Sequence, residues 1–303
     1  MGTFIFILFL MLLGYTLKKL KIFPEQTSQV LNLFIIYISL PAIIINEVPK
    51  ITFSSEIMIP VFIAWVTTIL GAISILVFSK LFKLNRNTTG ALLLVAVLGN
   101  TSFIGIPMVS HYFGTEGLPY VIIYDQMGTF LALSTYGAVV VAIYSDNGGA
   151  KVSVQNVLKK IFKFPPFISL LIAFALNGIE FNADVSKALS TLGNTLIPLA
   201  LISVGYNLQL KIPKKDISPF ILGIVNKLIL LPTFAFIIVH IFDFEGFITD
   251  ITLLESAMGP MITAGVVASM AGLAPKLVSS ILGYGIFISI ATIAAVYQLI
   301  QIF

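Results

Sequence analysis

The chain has 303 residues, 58% of them hydrophobic and only 10% charged, with a net charge of +4 and no cysteine. A soluble domain is about 25% charged. This chain therefore lacks the charges to coat itself for water, and uncharged runs at 26–46, 57–79, 188–210 and 277–303 are each long enough to span a bilayer. The missing cysteines exclude disulfides, thiolate-bound metals and a cysteine nucleophile, and two histidines leave little from which to build a catalytic metal centre.

Read from the N-terminus, MGTFIFILFLMLLGYTLKKLK places its lysines after the apolar run, where a secretory signal has them before it. It predicts a retained first span over 3–17, and Phe6 does not fit a myristoylation pattern. Charge clusters, Pro/Gly turns and polar loops mark nine more spans, at 26–47, 56–79, 88–112, 117–144, 164–179, 185–208, 217–242, 249–272 and 276–302. The expected fold is an all-α polytopic membrane protein of ten transmembrane helices.

Lys and Arg gather in alternate loops. Lys18, Lys19 and Lys21, then Lys80, Lys83 and Arg86, then Lys151, Lys159, Lys160 and Lys163, then Lys211, Lys214 and Lys215, and finally Lys276 follow the odd-numbered spans. The even loops hold only Lys50 and Lys187, and the eighth is acidic, with Asp243, Glu245 and Asp250. Cytoplasmic loops collect Lys and Arg, so the expected topology in the cell membrane has the odd loops inside and both termini outside. The basic balance is a topology signal and not a nucleic-acid footprint.

The two halves echo one another. The second span carries SLPAII with Pro41 and the seventh LIPLAL with Pro198; the fourth carries Pro107 and the ninth Pro260. VPK at 48–50 is matched by IPK at 212–214. With five spans per half, the second half enters the membrane upside down, as the basic KLNRN after span three and the acidic DFEGF after span eight require. The prediction is a first inverted repeat over 1–144, a cytoplasmic linker over 145–163 and a second inverted repeat over 164–303. Five-plus-five inverted repeats are a transporter architecture.

Span four holds GNTSFIGIP, from Gly99 to Pro107, and span nine holds MGPMITAG, from Met258 to Gly265. At 1.5 Å per residue Asn100 lies about 18 Å into its span and Pro260 roughly 16 Å into its own. Irregular backbone at that depth is tolerated only where protein or a water-filled cavity supplies hydrogen bonds. Proline and glycine also kink ordinary transmembrane helices, and polar side chains join them. Two breaks in matching positions, one filled with Asn-Thr-Ser, favour an unwound binding site near the midplane.

GNTSFIGIPMV resembles the fourth-helix signature of the auxin efflux carrier family, the prokaryotic relatives of plant PIN-FORMED carriers. ISLPAI, LIPLALISVG and NKLILLP are similar to that family's second, seventh and eighth helices, and the likeness spans essentially the whole chain. The resemblance implies two inverted five-helix repeats, with helices four and nine broken and crossing at their prolines. It further implies a scaffold domain and a transport domain moving in an elevator-like cycle, export of auxin or movement of carboxylates such as malate or malonate, and a homodimer. The short linker lacks the long cytoplasmic loop of many plant members, which argues against auxin itself.

Ionisable groups inside spans are costly and suggest function. Asp125 lies in YDQMGT, Glu255 in LLESAMGP and Lys227 in VNKLILLP. A structural ion pair of Lys227 with Asp125 or Glu255 is one reading. The other is ion coupling: Glu255 with Asn100, Thr101 and Thr129 offers hard oxygen ligands to Na⁺, while a desolvated carboxyl carries a proton. ESAMGP is also similar to the ninth helix of sodium-coupled bile-acid transporters, whose glutamate is a cation ligand. Gln126, Asn226 and Ser39 either line the cavity or bond between helices; His111, His240 and Trp65 are expected in interfacial or packing roles.

The expected function is secondary transport of a small organic anion, with no enzyme activity and no cofactor beyond Na⁺ or H⁺ as coupling ion. The substrate site is expected at Asn100, Thr101, Ser102, Pro107, Pro260 and Met261, with Ser39 and Pro41 of the second span. Asp125, Gln126, Thr129, Lys227 and Glu255 are the coupling or charged set. Partners are the anionic substrate and membrane lipid. The alternative is a membrane-embedded sensor or binding component without net transport, which would call for a long soluble domain. An intramembrane enzyme would need a convergent catalytic set, and no Walker loop, haem motif or triad is present.

Overall fold

The computed structural model describes residues 2–50, 55–145, 153–207 and 216–302. The linker residues 146–152, with Lys151, and the loop over 208–215, with Lys211, Lys214, Lys215 and the IPK echo, lie outside the described residues. The described residues are mostly helical, with one isolated bridge and no β-strand among them.

Its helices are α1 (Gly2–Lys19), α2 (Thr27–Lys50), α3 (Ser55–Leu81), α4 (Arg86–Val95), α5 (Ile106–Phe113), α6 (Thr115–Tyr144) and α7 (Val154–Ile161). They continue with α8 (Pro165–Ala175), α9 (Ala183–Asn207), α10 (Ile217–Ile241), α11 (Phe247–Ser256), α12 (Ile262–Met270) and α13 (Pro275–Ile300). Among the described residues six of these, α2, α3, α6, α9, α10 and α13, are long and apolar enough to cross a membrane. The distribution of side chains is inverted relative to a water-soluble domain. Phe9, Val30, Tyr37 and Ile69 are more than half exposed, while Asn100, Asp125, Asn226, Lys227 and Glu255 are buried. Apolar flanks suit lipid; a polar centre needs partners from the protein.

Two sets of helices form the bundle. Helices α1, α2, α8 and α9 pack on one another, and α3 to α6 pack with α10 to α13. Each set draws on both halves of the chain. The first set is tight: a Cβ on Gly14 would lie 2.1 Å from the Ile202 carbonyl oxygen, and one on Gly205 would lie 1.9 Å from that of Met11. The α1 and α9 backbones thus touch, the close approach that small residues permit between membrane helices. The sets meet where α9 contacts residues 101–105 and α2 and α8 contact α6.

Among the described residues four π-turns interrupt the helical ladder, at Ile35–Ser39, Thr101–Gly105, Tyr124–Phe130 and Asn226–Leu230. Three of them end two residues before a proline: Pro41, Pro107 and Pro232. A proline inside a helix has no N–H for the carbonyl four residues back and its ring clashes with that carbonyl. Widening the preceding turn to i→i+5 bonds, as Leu231 N–H to the Asn226 carbonyl illustrates, keeps the helix continuous. The fourth turn precedes no proline; there the Trp65 indole N–H donates to the Met127 carbonyl at 3.0 Å, which gives Trp65 a packing role in α3.

Two expectations change in detail. The unwound part of the fourth predicted span is Ala96–Asn100, and Pro107 stands beyond it, in the continuous helix that the π-turn Thr101–Gly105 opens and whose widened turn accommodates the missing N–H. The expected linker also contains the short helix α7, whose N-cap Ser153 accepts from the Asn156 amide.

Candidate functional site

The break between α4 and α5 and the break between α11 and α12 lie against each other. Residues 96–100 leave helical conformation in the first and 257–261 in the second. The Asn100 amide donates to the Gly259 carbonyl at 2.8 Å and the Met261 amide donates to the Leu98 carbonyl at 3.0 Å, with Gly99 opposite Pro260. This short antiparallel ladder satisfies backbone groups that lipid could not. The breaks therefore pair Gly99 with Pro260, rather than proline with proline. Helices α4 and α11 end here with their carbonyls, while α12 and the π-turn leading into α5 begin here with their amides.

The two orphaned carbonyl ends are served from one turn of α10. Asn226 Nδ2 donates to the Ala96 carbonyl at 2.8 Å, and Lys227 Nζ donates to the Ser256 carbonyl at 3.1 Å. Asn226 is itself held by Ser74 of α3, whose hydroxyl donates to its Oδ1. Asn226 and Lys227 open the π-turn that precedes Pro232, so the proline widens the turn that carries both side chains.

The first break is further tied down by α6. Asp125 Oδ1 accepts from Thr101 Oγ1 at 2.5 Å and from Ser102 Oγ at 2.6 Å, and its Oδ2 accepts from Gln126 Nε2 at 2.5 Å. Asn100 caps its own π-turn, its Oδ1 accepting from the Phe103 amide at 3.3 Å. Some buried polar atoms of these segments are left over. Asn100 Nδ2 as a donor and Gln126 Oε1 as an acceptor have no protein partner, and neither oxygen of the fully buried Glu255 has one. The Glu255 carboxyl sits against Gly105; a Cβ there would lie 2.5 Å from Oε1 and 2.6 Å from Oε2. Gly105 thus makes room for it.

Thr101, Thr129, Lys227 and Glu255 line one enclosed cavity together with Gly99, Tyr124 and the α3 hydroxyls Thr67 and Thr68. Its volume, for the centre of a water molecule, is about 10 Å³, enough for one water and far too little for an organic substrate. No ion pair joins Lys227 to Asp125 or Glu255; among the described residues the pair within 4 Å is Lys50 with Glu47. Of the contacts considered for Lys227, the structure shows a hydrogen bond from its ammonium to the Ser256 carbonyl and no carboxylate within 4 Å.

The remaining candidates separate from this centre. Ser39 shares a 2.7 Å hydrogen bond with Thr195 of α9, which joins α2 to α9, and Pro41 follows two residues later in α2. Pro107 and Met261 flank the paired breaks, Met261 through its backbone amide. Sequence reasoning leaves Asn226 undecided and misses Gly105 and the π-turns. The signal for three of those turns is present as prolines deep inside apolar helices; nothing in the sequence marks Gly105.

Long apolar helices around a polar, interrupted and internally bonded centre define a multi-pass membrane transporter. The chain belongs to the family described as "Membrane transport protein", whose model matches residues 1–297, the family of the auxin efflux carriers. It is 31% identical over 291 residues to an uncharacterized transporter of Methanocaldococcus jannaschii, covering 92% of each chain. It is 27% identical over 295 residues to an uncharacterized transporter of Methanothermobacter thermautotrophicus, covering 96% of this chain and 95% of the relative.

Proposed function

We propose that the protein is a secondary transporter that moves a small organic anion, a carboxylate such as malate or malonate or an indole acid, by elevator-type alternating access. The observation that carries this reading is the pairing of two interrupted helices, with the buried Asn100 Nδ2 left as an unused donor beside it. Half-helix N-termini present the positive ends of their dipoles, which favour a carboxylate. Asn100, Thr101 and Ser102 would contact the substrate, with Pro260 and Met261 forming the opposing wall.

The cavity at the breaks is too small for such a substrate, so binding requires the two helix sets to shift. In this reading α1, α2, α8 and α9 are the scaffold, and α3 to α6 with α10 to α13 carry the site. The chain would form ten spans in two inverted repeats, crossing near the midplane, in the cell membrane with both termini outside, and would assemble as a homodimer. Glu255 is the group at which a coupling ion, Na⁺ or a proton, would act, since its oxygens are buried without partners.

Uptake of labelled malate and malonate into proteoliposomes tests this, with no gradient, a Na⁺ gradient and a pH gradient in turn. The expected result is accumulation driven by one gradient and lost in Asn100→Ala and Glu255→Gln. Losing one hydrogen bond to a charged substrate predicts about a 10- to 100-fold loss of affinity for Asn100→Ala. Normal transport by that variant would exclude the paired breaks as the substrate site.

A further inference from the structure

Lys227 is a basic side chain deep within a predicted span, and it is buried at the point where a helix has been cut. Its ammonium donates to the Ser256 carbonyl, at the C-terminal end of α11, and lies against the other break: a Cβ on Gly99 would sit 3.3 Å from Nζ. The C-terminal end of a helix carries the negative pole of its dipole and unpaired carbonyl oxygens. Broken transmembrane helices commonly hand such an end to a metal cation. Here the place is already taken by a cation on a covalent tether.

We infer that the Lys227 ammonium is the resident cation of the paired breaks, so that no metal cation is required there. Two features support this beyond the single hydrogen bond. Lys227 lines the same enclosed cavity as Glu255 and Thr101, the oxygens a Na⁺ ion would use, and that cavity has room for one water. A metal ion placed in it would face a like charge across a water-poor space, where Coulomb repulsion is poorly screened. Asn226, the preceding residue, neutralises the matching carbonyl end of α4 with an amide. Adjacent residues on one π-turn thus serve both helix ends with donors built into the chain. The inference rests on the transporter reading only in deciding which ion couples: it removes Na⁺ at this site.

The experiment is thermal unfolding of the purified full-length protein in detergent, with Na⁺ exchanged for N-methylglucamine at constant ionic strength. The wild type is expected to melt at the same temperature in both. Lys227→Ala is expected to melt about 5 °C lower, and n-propylammonium, which matches the part of the side chain removed, should recover part of that loss in a saturable way while leaving the wild type unmoved. Lys227→Gln keeps a donor for the carbonyl and drops the charge; it should also melt below the wild type. A saturable, Na⁺-specific rise in the wild-type melting temperature overturns the inference, and so does a Lys227→Gln protein as stable as the wild type. If Lys227→Ala does not accumulate, the wild-type titration and Lys227→Gln still decide. Malate and malonate uptake separates the two claims. Uptake driven by a Na⁺ gradient overturns the tethered cation and preserves transport, whereas no uptake under any gradient removes the small dicarboxylates as substrates and leaves the melting result to decide the tethered cation.

Discussion

The two breaks use the same backbone device and finish it with opposite chemistry. At the first, an acid from α6 gathers the hydroxyls of Thr101 and Ser102 and the amide of Gln126, so Asp125 spends both its oxygens. At the second, a base from α10 takes the Ser256 carbonyl, and the nearby acid, Glu255, has both oxygens unspent. Unpaired backbone at membrane depth has to be answered by side chains, and the first break is answered more fully than the second. In the transport reading proposed above, the first serves as a fixed platform and the second as the place where a coupling charge acts.

That contrast can be broken most forcefully at Asp125. Asp125→Ala orphans two buried donors and the half-buried Ser102 hydroxyl at once and is expected to cost about 3 kcal/mol or more, read as a large fall in melting temperature or in accumulation of folded protein. Asp125→Asn keeps the shape and should cost less. If Asp125→Ala is as stable as the wild type, the first break is not the fixed one. Next in size is Gly105→Ala, whose methyl would overlap the Glu255 carboxyl; overpacking of this kind costs about 1–3 kcal/mol. Glu255→Ala in the same chain should recover part of it, a coupling of about 1 kcal/mol for residues in contact. Strict additivity of the two would mean that the carboxyl does not rest on Gly105.

Asn226→Ala removes the donor to Ala96 and the acceptor for Ser74, and is expected to cost about 2 kcal/mol. The smallest expected effect on stability belongs to Pro232→Ala, under about 1 kcal/mol, since alanine favours the helix that proline distorts. Its effect on uptake should be larger than its effect on stability, because a turn that samples ordinary α geometry part of the time carries Asn226 and Lys227 off both carbonyl ends only transiently, which a transport cycle registers and an equilibrium melt does not. Unchanged uptake by Pro232→Ala would separate the proline from the site.

Much of this contrast is legible in the amino-acid sequence. The apolar runs and the proline-glycine interruptions are properties of chain composition at a given depth, so the six long apolar helices and both breaks can be read from spacing alone. Asp125, Lys227 and Glu255 stand out because each is a charge with no reason to be in lipid. Their partners are not legible. Which acid faces which base depends on how α6, α10 and α11 pack, and where one of the two readings of Lys227 is a carboxylate partner, its hydrogen bond goes to a backbone carbonyl that no sequence pattern displays. Ser39 goes the other way: a hydroxyl beside a proline looks like cavity lining, but its neighbour across α9 is Thr195. The register of the breaks is also hidden, since Pro107 looks like the point of rupture and in fact lies past it, inside the helix that the π-turn at Thr101–Gly105 opens.

The π-turn before Pro232 makes the length of α10, and not only its composition, a determinant of the site. A π-turn holds one more residue than the α-helical turn it replaces, so it can be erased by a single-codon deletion. Removing one residue between Asn226 and Pro232 would let the segment close to ordinary α geometry with its flanks in nearly the same orientation, whereas the same deletion in an uninterrupted helix would rotate one side by about 100°, one residue's share of a 3.6-residue turn. Relatives of this chain that lack the proline should therefore differ from it in this segment by a gap as well as a substitution, and a gapless alignment there would bring the wrong residue against Lys227.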